Sequence, residues 1–236
     1  MKTLFHPANA RGHADHGWLN AWHSFSFADY HDPQKVHFGL LRVLNDDTVA
    51  PGMGFGTHPH DNMEIVTIPL EGAIEHKDST GGNGVIRKNE VQVMSAGSGL
   101  KHSEFNHSKT EPLRLFQIWV FPKVRDVIPR YDQRSFSPAD RQNRWQVVAG
   151  GPAVPEALQI NQDAYFSLAN MDGGKTLAYP VIHPGNGAYL MVVSGSVEVG
   201  GQVLGKRDAL GLTDMASFDI KALAASELLV VEVPMH

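Results

Sequence analysis

The sequence from residue 52 to residue 70, GMGFGTHPHDNMEIVTIPL, places a glycine-rich turn and two histidines directly before a short apolar run. The apolar part, residues 63–70, is rich in Ile and ends at a Glu-Gly turn, which is typical of a β-strand. Runs of the same kind recur at residues 85–94, 113–120, 188–193 and 228–233. No segment sustains a helical period. Many short strands separated by turn signals predict an all-β protein built as a sandwich or barrel.

A polar stretch slightly past the midpoint, RYDQRSFSPADRQNR at residues 130–144, divides these runs into two groups. Apolar-poor stretches of this kind commonly connect domains. We therefore predict an N-terminal domain at residues 1–130, a linker at 131–144 and a C-terminal domain at 145–236.

The two halves are weakly alike, since LEGAIE at residues 70–75 can be laid over VSGSVE at 193–198. This likeness indicates an internal duplication. In the same alignment His60 falls on His183, but His58 falls on Val181. We therefore expect a C-terminal domain without a complete metal site.

Composition narrows the classes of function. The formal charge of -5 provides no basic surface for the phosphate backbone, so we expect no direct nucleic-acid binding. No apolar run has the length of a membrane span, and Pro and Asn interrupt the N-terminus where a signal peptide needs an apolar stretch. We therefore predict a cytoplasmic protein that does not contact membranes. There are no cysteines, so any metal must be held by His, Asp or Glu.

Two pairs of polar residues carry the candidate chemistry. His58 and His60 are two apart, as are His102 and Glu104, and residues two apart on a strand point to the same face. Two such pairs on neighbouring strands can converge on one divalent transition-metal ion such as Fe, Mn, Ni, Cu or Zn. Glu64 has the same parity as His60 if the strand is regular, so Glu64 and Glu104 compete for the fourth position.

These motifs resemble those of the cupin superfamily. More narrowly, the sequence resembles the pirin family at residues 17–30, 41–47, 58–60, 71–79 and 102–104. The C-terminal half matches only in general character. The resemblance implies two cupin-type β-barrel (jelly-roll) domains in tandem. It also implies metal ligation by His58, His60, His102 and Glu104, with Fe(II) as the first choice of ion. Glu64 is then expected beside the ligands, and Gly97 stands where the general motif usually has proline.

The resemblance further implies a metal-dependent dioxygenase that opens the central ring of a flavonol such as quercetin. Its partners would be a small aromatic substrate and dioxygen, and Glu104 or Glu64 would act as the catalytic base. Two alternatives remain open. One is a non-enzymatic, iron-dependent, redox-responsive regulator that binds a protein partner. The other is a different cupin oxidation or isomerisation of a small molecule.

Two further features have ordinary structural interpretations. Trp18, Trp22, Phe25, Phe27 and Tyr30 cluster in sequence, and we expect them to pack in the core because Phe25 and Phe27 alternate as strand residues do. His76 follows the Glu-Gly turn, and we interpret it as a hydrogen-bonded structural histidine.

Overall fold

The computed structural model describes all 236 residues, and the chain is almost entirely β-structure. Its helices are two short 3-10 turns, Ala8–Ala10 and Pro138–Arg141. No helix is both long enough and apolar enough to cross a membrane. The first twelve strands are β1 (Lys2–His6), β2 (Gly12–Asp15), β3 (Leu19–His23), β4 (Leu41–Val49), β5 (Gly54–His60), β6 (Glu64–Glu71), β7 (Ala73–Asp78), β8 (Asn83–Arg87), β9 (Glu90–Ser95), β10 (Leu100–Asn106), β11 (Leu113–Val120) and β12 (Arg130–Ser135).

The remaining strands are β13 (Gln146–Gly150), β14 (Leu158–Gln159), β15 (Tyr165–Met171), β16 (Thr176–Pro180), β17 (Gly187–Ser194), β18 (Val197–Val199), β19 (Gln202–Leu204), β20 (Ala209–Thr213), β21 (Ser217–Ala222) and β22 (Ser226–Val233). Each half of the molecule combines a seven-stranded and a four-stranded sheet. The predicted all-β architecture of two tandem cupin domains is confirmed.

In the N-terminal barrel the seven-stranded sheet runs in the order β12-β9-β6-β11-β4-β3-β2, and the four-stranded sheet in the order β5-β10-β7-β8. Strand β10 shows why the sequence forms this barrel. Its residues Leu100, His102, Glu104 and Asn106 are buried, whereas Lys101 and Phe105 are exposed. This alternation turns both polar candidates on β10 toward the barrel interior. Strand β5 lies at the edge of the same sheet, so its histidines are only partly buried.

The expected linker contains a strand. Residues Arg130–Ser135 form β12, which pairs with β9 along its full length. As an edge strand β12 needs no continuous apolar face, and its side chains are exposed or partly buried. This is why its sequence looks like a connection. Residues 136–144 then lead, through the second 3-10 turn, into the C-terminal barrel. The exact division into domains stays a prediction.

Strand β1 lies within the expected N-terminal domain but pairs with a strand of the C-terminal sheet. Strand β1 pairs antiparallel with β20, from Lys2 opposite Thr213 to His6 opposite Ala209. It therefore completes an edge of the C-terminal sheet rather than belonging to residues 1–130 as a unit. The buried His6 ring holds this arrangement through a 2.9 Å hydrogen bond with the hydroxyl of Tyr189.

The two barrels share one apolar core. A cluster of 25 buried residues draws side chains from both halves, among them Phe116 and Tyr189. At the edge of this core Arg207 donates a 2.8 Å hydrogen bond from Nε to Asp46 Oδ2, and its guanidinium lies over the Phe116 ring. Arg11 contacts the same carboxylate at 3.2 Å. The N-terminal barrel is thus joined to the C-terminal one by apolar packing and by the ion pair between Arg207 and Asp46.

Candidate metal centre

Three histidines meet at the β5–β10 edge of the N-terminal barrel. His102 lies directly opposite His58 in the antiparallel pairing of these strands. The two Nε2 atoms are 2.9 Å apart, and the rings of His60 and His102 are 4.8 Å apart between centroids. One donor atom from each of the three histidines lies within 4.8 Å of the others. The convergence expected from the two-residue spacing is therefore present in the structure.

The tautomers of these rings fit a bound cation. The His58 Nδ1–H donates a 2.8 Å hydrogen bond to the carbonyl of Gly56, which leaves a lone pair on its Nε2. That lone pair faces Nε2 of His102 at 2.9 Å, a distance that either a proton or a metal ion can bridge. Two nitrogens that bind one ion at about 2.1 Å and at right angles lie about 3 Å apart. The donor set therefore fits a transition-metal ion.

The electrostatics of the cluster favour neutral, ligating imidazoles. Burial and the neighbouring His58 together lower the pKa of His60 to about 4. Burial also lowers the pKa of His102 to about 4, against the opposing effect of Glu104. Metal binding requires the neutral ring. Both side chains are therefore in the binding form at neutral pH.

Glu104 lies next to the histidines and is hydrogen-bonded by two glutamine side chains. Its Oε1 accepts a 3.0 Å hydrogen bond from Gln92 Nε2, and its Oε2 accepts one of 2.8 Å from Gln117 Nε2. Burial favours the neutral acid, but His76 and His102 outweigh it and lower the pKa of this carboxyl. Glu104 groups with His76 and His102 within 4.8 Å. A buried, ionised carboxylate thus adjoins the histidine cluster.

His76 and Asp78 on β7 form a second layer behind His102. The His76 Nε2–H donates a 3.0 Å hydrogen bond to Asp78 Oδ2, and its Nδ1 lies 3.4 Å from Nδ1 of His102. Asp78 in turn accepts hydrogen bonds from Thr80 and from the backbone of Gly82. The same Nδ1 lies 3.8 Å from Oε1 of Glu104. Against the effect of burial, Glu104 and Asp78 raise the pKa of His76. The His76 ring therefore lies between two candidate ligands and the Asp78 carboxylate, where it can orient both ligands.

The structural interpretation of His76 was therefore incomplete, because the ring supports a candidate ligand. A sequence signal for this role does exist. The apolar Ile74 shares one parity on β7 with His76 and Asp78, which indicates that both polar side chains point to the interior.

Glu64 does not face the histidine cluster. Its Oε2 accepts a 2.7 Å hydrogen bond from Ser95 and a 3.0 Å bond from the backbone of Asn161 in the second half of the chain. The parity argument that paired it with His60 assumed one regular strand. Instead β5 ends at His60, Asn62 adopts a φ of 45°, and β6 begins at Glu64 in the opposite sheet. Neither group of possible metal ligands in the structure includes Glu64, and its role as a base stays a prediction.

Gly97 stands in the turn that leads from β9 toward His102. Its φ is +48°, which proline cannot adopt because its ring fixes φ near −65°. A Cβ at this position would also collide with the carbonyl oxygen of Val127. The departure from the general cupin motif is thus required by the local backbone.

A cavity of about 250 Å³ opens beside the histidines. Its apolar walls include Phe27, Phe55 and Trp119, while Phe25 packs in the shared core. The expectation that the aromatic cluster packs as core is therefore right for Phe25 and wrong for Phe27. The Trp119 ring meets His60 edge to face at 4.9 Å. The cavity thus has flat aromatic walls next to the candidate metal ligands.

One wall of this cavity carries polar groups that sequence reasoning missed. His23 Nδ1 is 2.9 Å from Asn45 Oδ1, and Asp47 lies two residues further along β4. The Asp47 Oδ1 atom is buried without a hydrogen-bond partner. Burial, with the nearby Asp46 and Glu104 carboxylates, raises the pKa of Asp47 to about 8. The available signal was that Asn45 and Asp47 share the parity of the apolar residues Leu41, Val43 and Val49 on β4.

Comparison with known proteins agrees with this geometry. A family model described as Pirin matches residues 4–120, and one described as Quercetinase C-terminal cupin domain matches residues 147–233. A protein of Escherichia coli K12 named quercetin 2,3-dioxygenase is 42% identical over 228 residues, which cover 96% of each chain. A pirin-like protein of Caulobacter vibrioides is 43% identical over 227 residues, which cover 96% of this chain and 97% of the relative.

The fold comparison gives the same result. The crystal structure of the bacterial pirin YhhW from Escherichia coli, in complex with nickel(II), matches with a TM-score of 0.92 and 39% sequence identity. The match covers 99% of both chains. Sequence, fold and histidine cluster together lead to one conclusion: the chain belongs to the pirin family.

Proposed function

We propose that this protein is a metal-dependent dioxygenase that opens the central ring of a flavonol such as quercetin. The observation that supports it most is the histidine cluster facing an aromatic-walled cavity. The name quercetin 2,3-dioxygenase carried by a relative of nearly equal length gives the substrate class. In this proposal His58, His60, His102 and Glu104 hold the ion. We propose Fe(II) as that ion, while the nickel complex of a related pirin makes nickel a second choice and Mn, Cu and Zn also suit these ligands.

The bound ion would supply positive charge that lowers the pKa of a coordinated hydroxyl, together with a place for dioxygen. The protein's own residues would do the rest. Glu104 would accept the hydroxyl proton, because its carboxylate is ionised and is held in place by Gln92 and Gln117. Phe27, Phe55 and Trp119 would hold a flat substrate against the histidines and exclude water.

The test is the oxygen-dependent loss of quercetin, with detection of carbon monoxide, by protein loaded separately with Fe, Mn, Ni and Cu. His60→Ala serves as the control. Turnover that disappears in the variant together with metal occupancy would support the dioxygenase. Turnover by His60→Ala protein without metal would contradict the mechanism. A fully loaded wild type that is inert toward flavonols would instead favour the redox-responsive, partner-binding alternative or a different small-molecule reaction.

A further inference from the structure

The wall of the cavity that carries Asp47 has a composition unusual for a protein interior. Asn45 and Asp47 are 4% and 5% exposed, and both line the cavity from the same face of β4. The side-chain Oδ1 of Asn45 already forms a hydrogen bond with Nδ1 of His23. The Asp47 Oδ1 atom has no hydrogen-bond partner. A buried polar atom without a partner costs about 1–3 kcal/mol, so Asp47 weakens the fold in the absence of a ligand.

No neighbouring group explains Asp47 as a structural ion pair. The charged groups that act on it are the carboxylates of Asp46 and Glu104. Asp46 is already engaged by Arg11 and Arg207. No Lys or Arg lines the cavity. The cavity therefore offers acidic groups and histidines, and it disfavours a substrate that carries a carboxylate or phosphate.

We propose that Asp47 determines substrate specificity by hydrogen-bonding a phenolic hydroxyl of the substrate, at a position other than the edge that faces the histidine cluster. A phenol hydroxyl both donates and accepts, so it pairs with Asp47 in either state of the carboxyl. The inference rests on the proposed function and narrows its substrate class. The site takes a neutral, flat aromatic molecule that carries at least one hydroxyl group besides the one at the metal.

The experiment compares two flavonols by anaerobic binding, so that no turnover occurs. Quercetin carries hydroxyls on all its rings, whereas 3-hydroxyflavone retains only the hydroxyl on the central ring. Dissociation constants are measured by fluorescence with nickel-loaded wild type, Asp47→Asn and Asp47→Leu. Metal content is determined for each sample. The exposed Asp219 on β21 supplies a control variant, Asp219→Asn, far from the cavity in sequence and barrel.

Loss of one hydrogen bond to a carboxyl group predicts about 10- to 100-fold weaker quercetin binding by Asp47→Leu. The affinity for 3-hydroxyflavone should change by less than about threefold, and Asp47→Asn should retain part of the quercetin affinity because its amide still hydrogen-bonds. Equal losses for both flavonols, or no loss for either, would overturn the proposal. So would a wild type that binds neither.

The two proposals fail in different ways in this design. If quercetin binding depends on Asp47 but no metal supports turnover, the dioxygenase is wrong and the hydroxyl contact stands. If turnover is established but Asp47→Leu binds and converts both flavonols as wild type does, the dioxygenase stands and the hydroxyl contact is wrong.

Discussion

Two buried glutamates on neighbouring parts of the N-terminal barrel have different surroundings, and these surroundings decide what each can do. Glu104 is held by two glutamine amides next to His102. Glu64 is held by Ser95 and the backbone of Asn161, at the contact with the second half of the chain. Glu104 belongs to a group of possible metal ligands with His102, whereas Glu64 belongs to none. The choice between them therefore has a direct test.

We expect Glu104→Gln to lower metal affinity by roughly 10- to 100-fold or more, because an amide oxygen is a weaker ligand than a carboxylate and carries no charge. Glu64→Gln should keep the affinity of wild type and change only the stability, by about 1 kcal/mol. Competition with a chromophoric chelator measures the affinity of both variants. Equal losses in the two variants would contradict the assignment of Glu104.

Asp47 predicts a pH dependence in the metal-free protein. Its folded-state pKa of about 8 lies above the ordinary value of 3.8. Between these values the folded protein holds a proton that the unfolded chain has lost, so stability falls as the pH rises through this window. Above pH 8 the cost is complete and amounts to a few kcal/mol. An asparagine at this position cannot titrate, so Asp47→Asn should not lose folding stability over this pH range.

The measurement is urea unfolding of metal-free wild type and Asp47→Asn at pH 5, 7 and 9. The variant should gain stability over wild type with each step, because the wild type alone loses it. A difference that stays constant from pH 5 to pH 9 would show that Asp47 titrates in the folded protein as it does in the unfolded chain.

Sequence reasoning was strongest where a short-range rule applies. Because the side-chain direction of a strand repeats every two residues, His58, His60, His102 and Glu104 could be grouped without a structure. The same rule failed at Glu64, because the chain turns at Asn62 before the next strand begins. Asp47 was missed for another reason. Asp47 lies in the polar run NDDT at residues 45–48, and polar runs of this kind usually face solvent, but in the closed barrel Asp47 is buried.

At the level of elements, β7 supplies the layer that orients the candidate ligands. His76 connects His102 to Asp78, and Asp78 is fixed by the turn that follows β7. The Tyr131 ring of β12 stacks on His76 at 4.5 Å. The edge strand that resembled a linker thus packs against the support of the metal centre, which explains why β12 belongs to the N-terminal barrel.

We expect His76→Ala to weaken metal binding by roughly 10- to 100-fold although His76 is not a proposed ligand, since the partners that orient ligating histidines commonly contribute this much. His107→Ala is the matched control, because His107 is an exposed histidine that pairs with Glu75. Chelator competition gives the affinities, and the visible absorption of cobalt-loaded protein reports ligand geometry. Unchanged affinity and an unchanged cobalt spectrum in His76→Ala would contradict the supporting role.

Strand pairing across long separations was the part that the sequence could not predict. Strand β1 pairs with a strand some 200 residues away. No residue pattern within β1 indicates which strand it pairs with. Edge strands such as β1 and β12 are exposed on one side, so the apolar alternation that reveals central strands is weak in them. Central strands such as β11 and β22 were recognised from their apolar runs.

The two barrels, which the sequence predicts as separate domains, share one apolar core. The shared core takes large side chains from both halves, and Arg207 of the C-terminal barrel binds Asp46 beside the cavity wall of the N-terminal one. Strand β1 crosses between the halves in addition. Separating the barrels would expose this apolar surface and break the half-buried ion pair of Arg207 with Asp46, so neither barrel is expected to persist alone.

This coupling predicts that metal binding in the N-terminal barrel protects the C-terminal barrel from unfolding. A ligand that binds only the folded state stabilises the whole cooperative unit, by about 2.7 kcal/mol at 100 times its dissociation constant. Hydrogen exchange in mild denaturant should therefore slow by the same factor in β4 and β11 as in β15 and β22 when the protein is loaded with nickel. In His60→Ala the added nickel should slow neither pair of strands, because the ligand set is incomplete. Protection confined to β4 and β11 would instead show two independent folding units, and the shared core would then be a docking surface between barrels that fold separately.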